Sequence, residues 1–217
     1  MLPLSLPQNT AAPLKILCLG SHSDDIEIGC GGTILRLLAG DRKIDLTWVV
    51  LASTAERERE ARNSAAQFLD RANKKNVVVK SFRDGFFPFE GAQIKNYFEQ
   101  EIKPLSPDLI FTHNKKDAHQ DHRLVAELTW NTFRNHLILE YEIPKYDGDV
   151  GQPNFFVPLD REICETKIRY LMEAFETQRS KAWFTSETFL GLMRLRGVEC
   201  VSPSGYAEAF YCRKIVI

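Results

Sequence analysis

The stretch Gly20-Ser21-His22-Ser23-Asp24-Asp25-Ile26-Glu27-Ile28-Gly29-Cys30-Gly31-Gly32-Thr33 decides how this chain is read. Ahead of it, the apolar run Leu14-Lys15-Ile16-Leu17-Cys18-Leu19 predicts a short buried strand. Behind it, Thr33-Ile34-Leu35-Arg36-Leu37-Leu38-Ala39 predicts a helix that stops at Gly40. A histidine and two adjacent carboxylates therefore fall on a strand-to-helix turn. In an open α/β sheet such turns lie at the carboxyl ends of strands, where ligands bind. Three hard-to-bury polar groups need an explanation there, and a metal ion is the simplest. The glycines do not follow the Gly-x-Gly-x-x-Gly order directly after the strand, and the acids would repel a pyrophosphate, so a dinucleotide is disfavoured.

Working outward, strands are predicted at 43–51, 76–82, 107–112 and 137–142, alternating with helices at 55–70, 91–103 and about 121–134. Asp84-Gly85 marks a turn after the third strand. Pro144, Gly148, Gly151 and Pro153 mark a loop suited to a lid or rim. Helices at 160–178 and 186–196 and a last strand at 209–217 complete the chain. The alternation predicts an α/β fold: a Rossmann-like, mostly parallel sheet flanked by helices, with a metal site at the carboxyl ends of the strands. Residues 1–13, with three prolines, read as a flexible N-terminal arm, and 14–217 as a single domain.

Composition excludes several functions. The 217 residues carry 44% apolar and 26% charged side chains and a net charge of −1, with no electrostatic footprint for nucleic acid or an anionic membrane surface. No stretch has the length of a membrane span, and the first residues lack the basic start and apolar centre of a signal peptide. The five cysteines (Cys18, Cys30, Cys164, Cys200 and Cys212) are widely spaced and contain no Cys-x-x-Cys pair. That argues against a disulfide framework or thiolate zinc site and for reduced thiols in the cytoplasm.

A second polar cluster, Thr112-His113-Asn114-Lys115-Lys116-Asp117-Ala118-His119-Gln120-Asp121-His122, again follows a predicted strand and precedes a helix. In a parallel sheet it opens on the same edge as the first. His119 and His122, three apart at a helix start, can point their rings the same way. Catalytic zinc commonly takes three protein ligands from His and Asp or Glu and leaves a fourth position for water. His22 and Asp25 with one histidine of the second cluster can supply that set. The remaining polar groups are then available as acid, base and orienting partners. Either cluster alone is as readily explained as helix capping or surface pairing; the two at one edge are not.

These two stretches resemble the zinc-dependent N-acetylglucosaminyl deacetylases called PIG-L or LmbE-like. That family's Ala-His-Pro-Asp-Asp-Glu motif stands here as Ser21-His22-Ser23-Asp24-Asp25-Ile26, with Gly29-Cys30-Gly31-Gly32 following. Its His-x-Asp-His motif stands as His119-Gln120-Asp121-His122, preceded by Asp117, and Tyr206-Ala207-Glu208-Ala209-Phe210 adds a further likeness. The resemblance implies Zn2+ held by His22, Asp25 and His122, with Asp24 as general base. It implies His119 as oxyanion stabiliser and acid, oriented by Asp121, and an N-acetylated sugar as substrate. Ser23 and Ile26 depart from the motif without deleting a ligand or the base. An arginine after the second strand commonly holds the sugar in this family; Arg57, Arg59 and Arg62 qualify, and Arg57 is nearest the strand end. Asp84, Lys145 and Glu208 are further pocket candidates that no spacing places. Phe86, Phe87 and Phe89 fit either core or a hydrophobic rim, core being the commoner fate. Many members self-associate, but no stretch here marks an interface. Two alternatives stay open: a metal-dependent phosphoesterase, and a metal- or sugar-binding protein without catalysis.

Overall fold

The computed structural model describes residues 12–216, so all but the last two residues of the expected N-terminal arm lie outside the described residues. Seven strands form one sheet: β1 (Leu14–Gly20), β2 (Ile44–Val50), β3 (Lys74–Val79), β4 (Leu109–His113), β5 (Leu137–Tyr141), β6 (Phe155–Pro158) and β7 (Ala207–Cys212). Their order is β3-β2-β1-β4-β5-β7-β6. The first five are parallel, and β7 runs antiparallel to both β5 and β6. Six α-helices accompany them: α1 (Asp25–Leu38), α2 (Ala55–Phe68), α3 (Gly91–Tyr97), α4 (Gln120–Thr132), α5 (Arg161–Ala174) and α6 (Ser186–Glu199).

β1 is buried on both faces, as a central parallel strand must be. Ile16 and Cys18 join one apolar core and Leu17 and Leu19 the other. Consecutive strands β1 and β2 run to one side while β4 pairs on the other flank of β1, so the chain's direction of winding reverses between β1 and β4. The carboxyl edge at that reversal is where α/β sheets bind ligands, and both polar clusters sit there. No helix among the described residues is long and apolar enough to cross a membrane.

Three sequence expectations are corrected. The segment Phe155–Pro158, read as loop, is edge strand β6; it is only four residues long and ends in proline, which an edge tolerates. The helix expected at 91–103 changes after Tyr97 into a π-turn at Phe98–Ile102 and a 3-10 turn at Lys103–Leu105, which contains Pro104. The glycines after the first motif lie inside α1, which begins at Asp25 rather than Thr33. Glycine costs helix stability, and the compensation is close packing. A Cβ at Gly29 would run into the Tyr141 ring, and one at Gly32 would lie 2.6 Å from Leu159 and 2.9 Å from Glu208.

The Glu208 contact belongs to a buried ion pair set against α1. Lys167 Nζ donates to Glu208 at 2.7 Å and to the Ile28 carbonyl at 2.6 Å. Glu208 in turn accepts from the Gly32 and Thr33 amides at 2.8 and 2.6 Å. The Ile28 carbonyl and Gly32 amide, partners in a regular helical ladder, thus both engage the pair. Glu208 therefore lies beneath α1, not in the mouth of the pocket.

Candidate metal centre

The first turn, residues 21–24, keeps its polar side chains out of water. His22, Asp24 and Asp25 are all buried. The Asp25 carboxylate closes the turn by accepting the His22 amide at 2.7 Å. The second turn delivers His122 from the first turn of α4, and the two meet. His22 Nδ1 lies 3.2 Å from His122 Nε2, and Asp25 lies 3.4 Å from His22 Nδ1 and 3.5 Å from His122 Nε2. Two imidazole nitrogens and a carboxylate thus converge from two turns about a hundred residues apart in the chain.

Each histidine has a carboxylate on its other nitrogen. Asp117 sits 2.9 Å from His122 Nδ1, and Asp84 and Asp121 sit 3.0 and 3.3 Å from His22 Nε2. This carboxylate–histidine arrangement fixes ring orientation and tautomer in metal sites. The donor set suits a divalent cation of zinc type, so the residues present fit the metal that the resemblance implies.

The adjacent acids are driven apart electrostatically. Burial raises the pKa of Asp24, against the pull of the Arg57 guanidinium 2.9 Å away. Burial would also raise Asp25, but the His122 and His113 imidazoles outweigh it and hold Asp25 well below the usual range. Burial, aided by His113, pushes His122 down to about 4, leaving the neutral form that a metal requires. Burial opposes charge on His22, yet its bonds to Asp121 and Asp25 prevail and lift it. The bond to His22 brings Asp84, whose side chain is 64% exposed, down to about 2. Glu27, beside the pair, is wholly buried, and burial raises its pKa well above normal.

His119 stands at the rim as the N-cap of α4. Its Nδ1 accepts the Asp121 backbone amide at 3.2 Å, so the neutral ring carries its proton on Nε2. Burial and the nearby His22 lower its pKa. The hydrogen bonds of the Asp121 carboxylate go elsewhere than to His119: besides His22 it accepts amides from Gly85 at 2.6 Å and Phe87 at 3.1 Å. Orientation of His119 thus comes from the main chain of Asp121 rather than its side chain. Of the three arginines, Arg57 turns back to the site, Arg62 pairs with Glu58, and Arg59 stays exposed.

Sequence reasoning left several groups unplaced. His113 is wholly buried behind Asp25, 3.2 Å from its carboxylate, and stacks on His122 with ring centroids 3.9 Å apart. Tyr141 donates to the Leu19 carbonyl at 2.6 Å and edges His113; only the sheet order brings it there. Lys145 reaches back from the β5–β6 loop to Asp117 at 3.0 Å, and Arg196 clamps that loop through Glu142 at 2.8 Å. The polar signal for Lys145 existed in the sequence, but the pairing did not.

The same fold recurs in solved structures. N,N'-diacetylchitobiose deacetylase from Pyrococcus horikoshii superposes with a TM-score of 0.71 at 20% identity, covering 92% of this chain and 83% of that one. GalB, the 4-carboxy-2-hydroxymuconate hydratase of Pseudomonas putida KT2440, gives 0.71 at 14% identity over 94% and 98%. In sequence, the uncharacterised deacetylase YaiS of Escherichia coli (strain K12) is 28% identical over 149 residues, 59% of this chain and 74% of that protein. The model of the PIG-L family, GlcNAc-PI de-N-acetylase, matches residues 17–133, which span both polar turns and the helices they start. The chain belongs to the PIG-L family of deacetylases.

Proposed function

We propose that this protein is a zinc-dependent hydrolase that removes the acetyl group from an N-acetylated amino sugar in a conjugate, releasing acetate and a free amine. The catalytic unit is taken as residues 14–217, acting in the cytoplasm. The observation that carries the reading is the convergence of His22, Asp25 and His122, with a carboxylate behind each histidine. Those three residues would hold the zinc, which when bound supplies a Lewis acid for the acetyl carbonyl and acidifies water.

The chain's own groups handle the rest. Asp24 takes a proton from the attacking water, and its raised pKa brings it nearer to a working pH than an ordinary carboxylate. Water oxygen adds to the acetyl carbon, and the Nε2 proton of neutral His119 hydrogen-bonds the oxygen that gains charge. The carbon–nitrogen bond then breaks, and the amine leaves with the proton that Asp24 collected. The resemblance also gives His119 the part of acid toward the leaving amine; its Nδ1 accepts the Asp121 amide, so the proton of its neutral ring is the one on Nε2. Arg57, at the start of α2, tethers Asp24 and is the arginine we take to hold the sugar.

A panel of N-acetylated sugars, assayed for acetate with zinc and after chelation, tests the proposal. Release that stops on chelation and returns with zinc is expected; chelator-insensitive release, or none, overturns it. The phosphoesterase alternative draws on one observation: His22, Asp84, His119 and Asp121 also bring donor atoms within 4.8 Å of one another. Two metals per chain would favour it, and one would favour the deacetylase. A metal- or sugar-binding protein without catalysis would hold zinc and release no acetate.

A further inference from the structure

We propose that Phe86 and Phe89, with Arg83 laid on Phe86, form a platform for a ring attached to the acetylated sugar, selecting ring-bearing conjugates over the free monosaccharide. The proposal rests on the deacetylase reading and adds the residues that choose the substrate.

The β3–α3 loop faces two ways. Inward, Asp84 contacts His22 at 3.0 Å, Gly85 and Phe87 donate to Asp121, and the Phe87 ring is fully buried 6.2 Å from the His22 ring. Outward, Phe86 is 37% and Phe89 79% exposed, with ring centroids 5.9 Å apart. The loop is held by its own hydrogen bonds: Phe89 N to Phe86 O at 2.9 Å, Phe86 N to Arg83 O at 3.1 Å, and Arg83 N to the Glu90 carboxylate at 3.1 Å. A hydrogen-bonded backbone holds two adjoining phenyl rings in water, two and five residues beyond a group that touches the site, and such exposed apolar surface suits a ligand. Among the described residues the exposed large aromatics are Phe86, Phe89 and Tyr146. All three stand on the loops bordering the metal centre.

The chemistry of the patch selects the occupant. The Arg83 guanidinium lies 3.4 Å over the Phe86 ring and has no ion-pair partner among the described residues. Its outer face and donors suit hydroxyls or ring oxygens, whereas an acyl chain would use only the rings. Two side chains are far smaller than a stable protein interface, which buries on the order of 1,000 Å² or more. A flat ring, pyranose or aryl, can use both the aromatic face and the guanidinium. Because the loop is already ordered, little freedom is lost on binding.

The test compares kcat/KM for acetate release by the zinc-loaded protein from N-acetylglucosamine, its β-1,4-linked dimer, and its phenyl and octyl glycosides. The wild type is expected to favour one or both ring-bearing substrates over the monosaccharide by about tenfold or more, a preference of two aromatic contacts. The dimer and phenyl arms tell whether the ring is sugar or aryl. Phe86→Ala/Phe89→Ala should bring the ratio to within about twofold, with zinc content and secondary structure retained. A wild type without the preference, or a double variant that keeps it, overturns the platform. So does a preference for the octyl glycoside alone, or a double variant whose only change is its mass in solution, the mark of self-association. Calorimetric binding of the dimer separates the two readings. Binding that the double variant weakens while no acetate is released upholds the platform and sinks the deacetylase, and no binding together with no release sinks both.

Discussion

The two polar turns do the same topological job in different ways. In the first, Asp24 precedes α1 without a side-chain cap bond, and the helix is braced by what packs on it: the Tyr141 ring against Gly29 and the Lys167–Glu208 pair at Ile28 and Gly32. In the second, α4 is capped by His119, and Asp117 within the loop orients His122. Both turns carry a carboxylate bond of their own, Asp25 to the His22 amide and Asp117 to His122. What differs is the outside support, packing along α1 for the first and the Lys145 ion pair for the second. The first carries His22, Asp24 and Asp25, proposed above as two metal donors and the base, and the packing along α1 that supports it comes from residues far away in sequence.

That contrast can be broken at several points. The largest effect is expected from Asp24→Ala, which should lower kcat by about 10²–10³-fold or more. Metal content, measured by atomic absorption, should stay at the wild-type value; if zinc is lost as well, the division of labour between Asp24 and Asp25 is wrong. Asp117→Asn attacks the second turn and should weaken zinc binding by about 10–100-fold in a competition titration. Wild-type affinity in that variant would mean that His122 needs no carboxylate behind it.

Gly29→Ala attacks the other turn from a distance. Forcing a methyl into the Tyr141 ring should cost about 1–3 kcal/mol in chemical denaturation, whereas an unchanged midpoint would show that α1 can shift freely. The smallest effect is a displacement of a pH profile. Arg57 lowers the pKa of Asp24, so Arg57→Ala should raise it, moving the acid limb of kcat/KM to higher pH. An acid limb that stays in place would separate Arg57 from the base.

Much of the fold was legible because the central parallel strands β1 and β4 are buried on both faces and read as nearly continuous apolar runs, Leu14–Leu19 and Leu109–Thr112. Residues with local signals were legible too: His22, Asp24, Asp25, His119 and His122 cluster within turns that follow strands. β6 was not, because four residues ending in proline carry no period. The glycines of α1 were misread as turn because their reason lies in Tyr141, Phe68, Leu159 and Glu208, all distant in sequence. Phe86, Phe87 and Phe89 look alike in the sequence, yet one fills the core and two face water.

By itself, the sequence determined the α/β class, the edge of the sheet that carries chemistry and the residue types that chemistry would use. These follow from local periodicity and from polar groups too costly to bury without a partner. Only the tertiary structure decided which groups meet. It paired Asp117 with His122, put the Asp121 amide rather than its carboxylate on His119, and drew Lys145 to Asp117. It also moved the pKa values of Asp24 and Asp25 in opposite directions. Neighbouring carboxylates are equivalent along a chain; they differ once burial and unlike neighbours weigh on each separately.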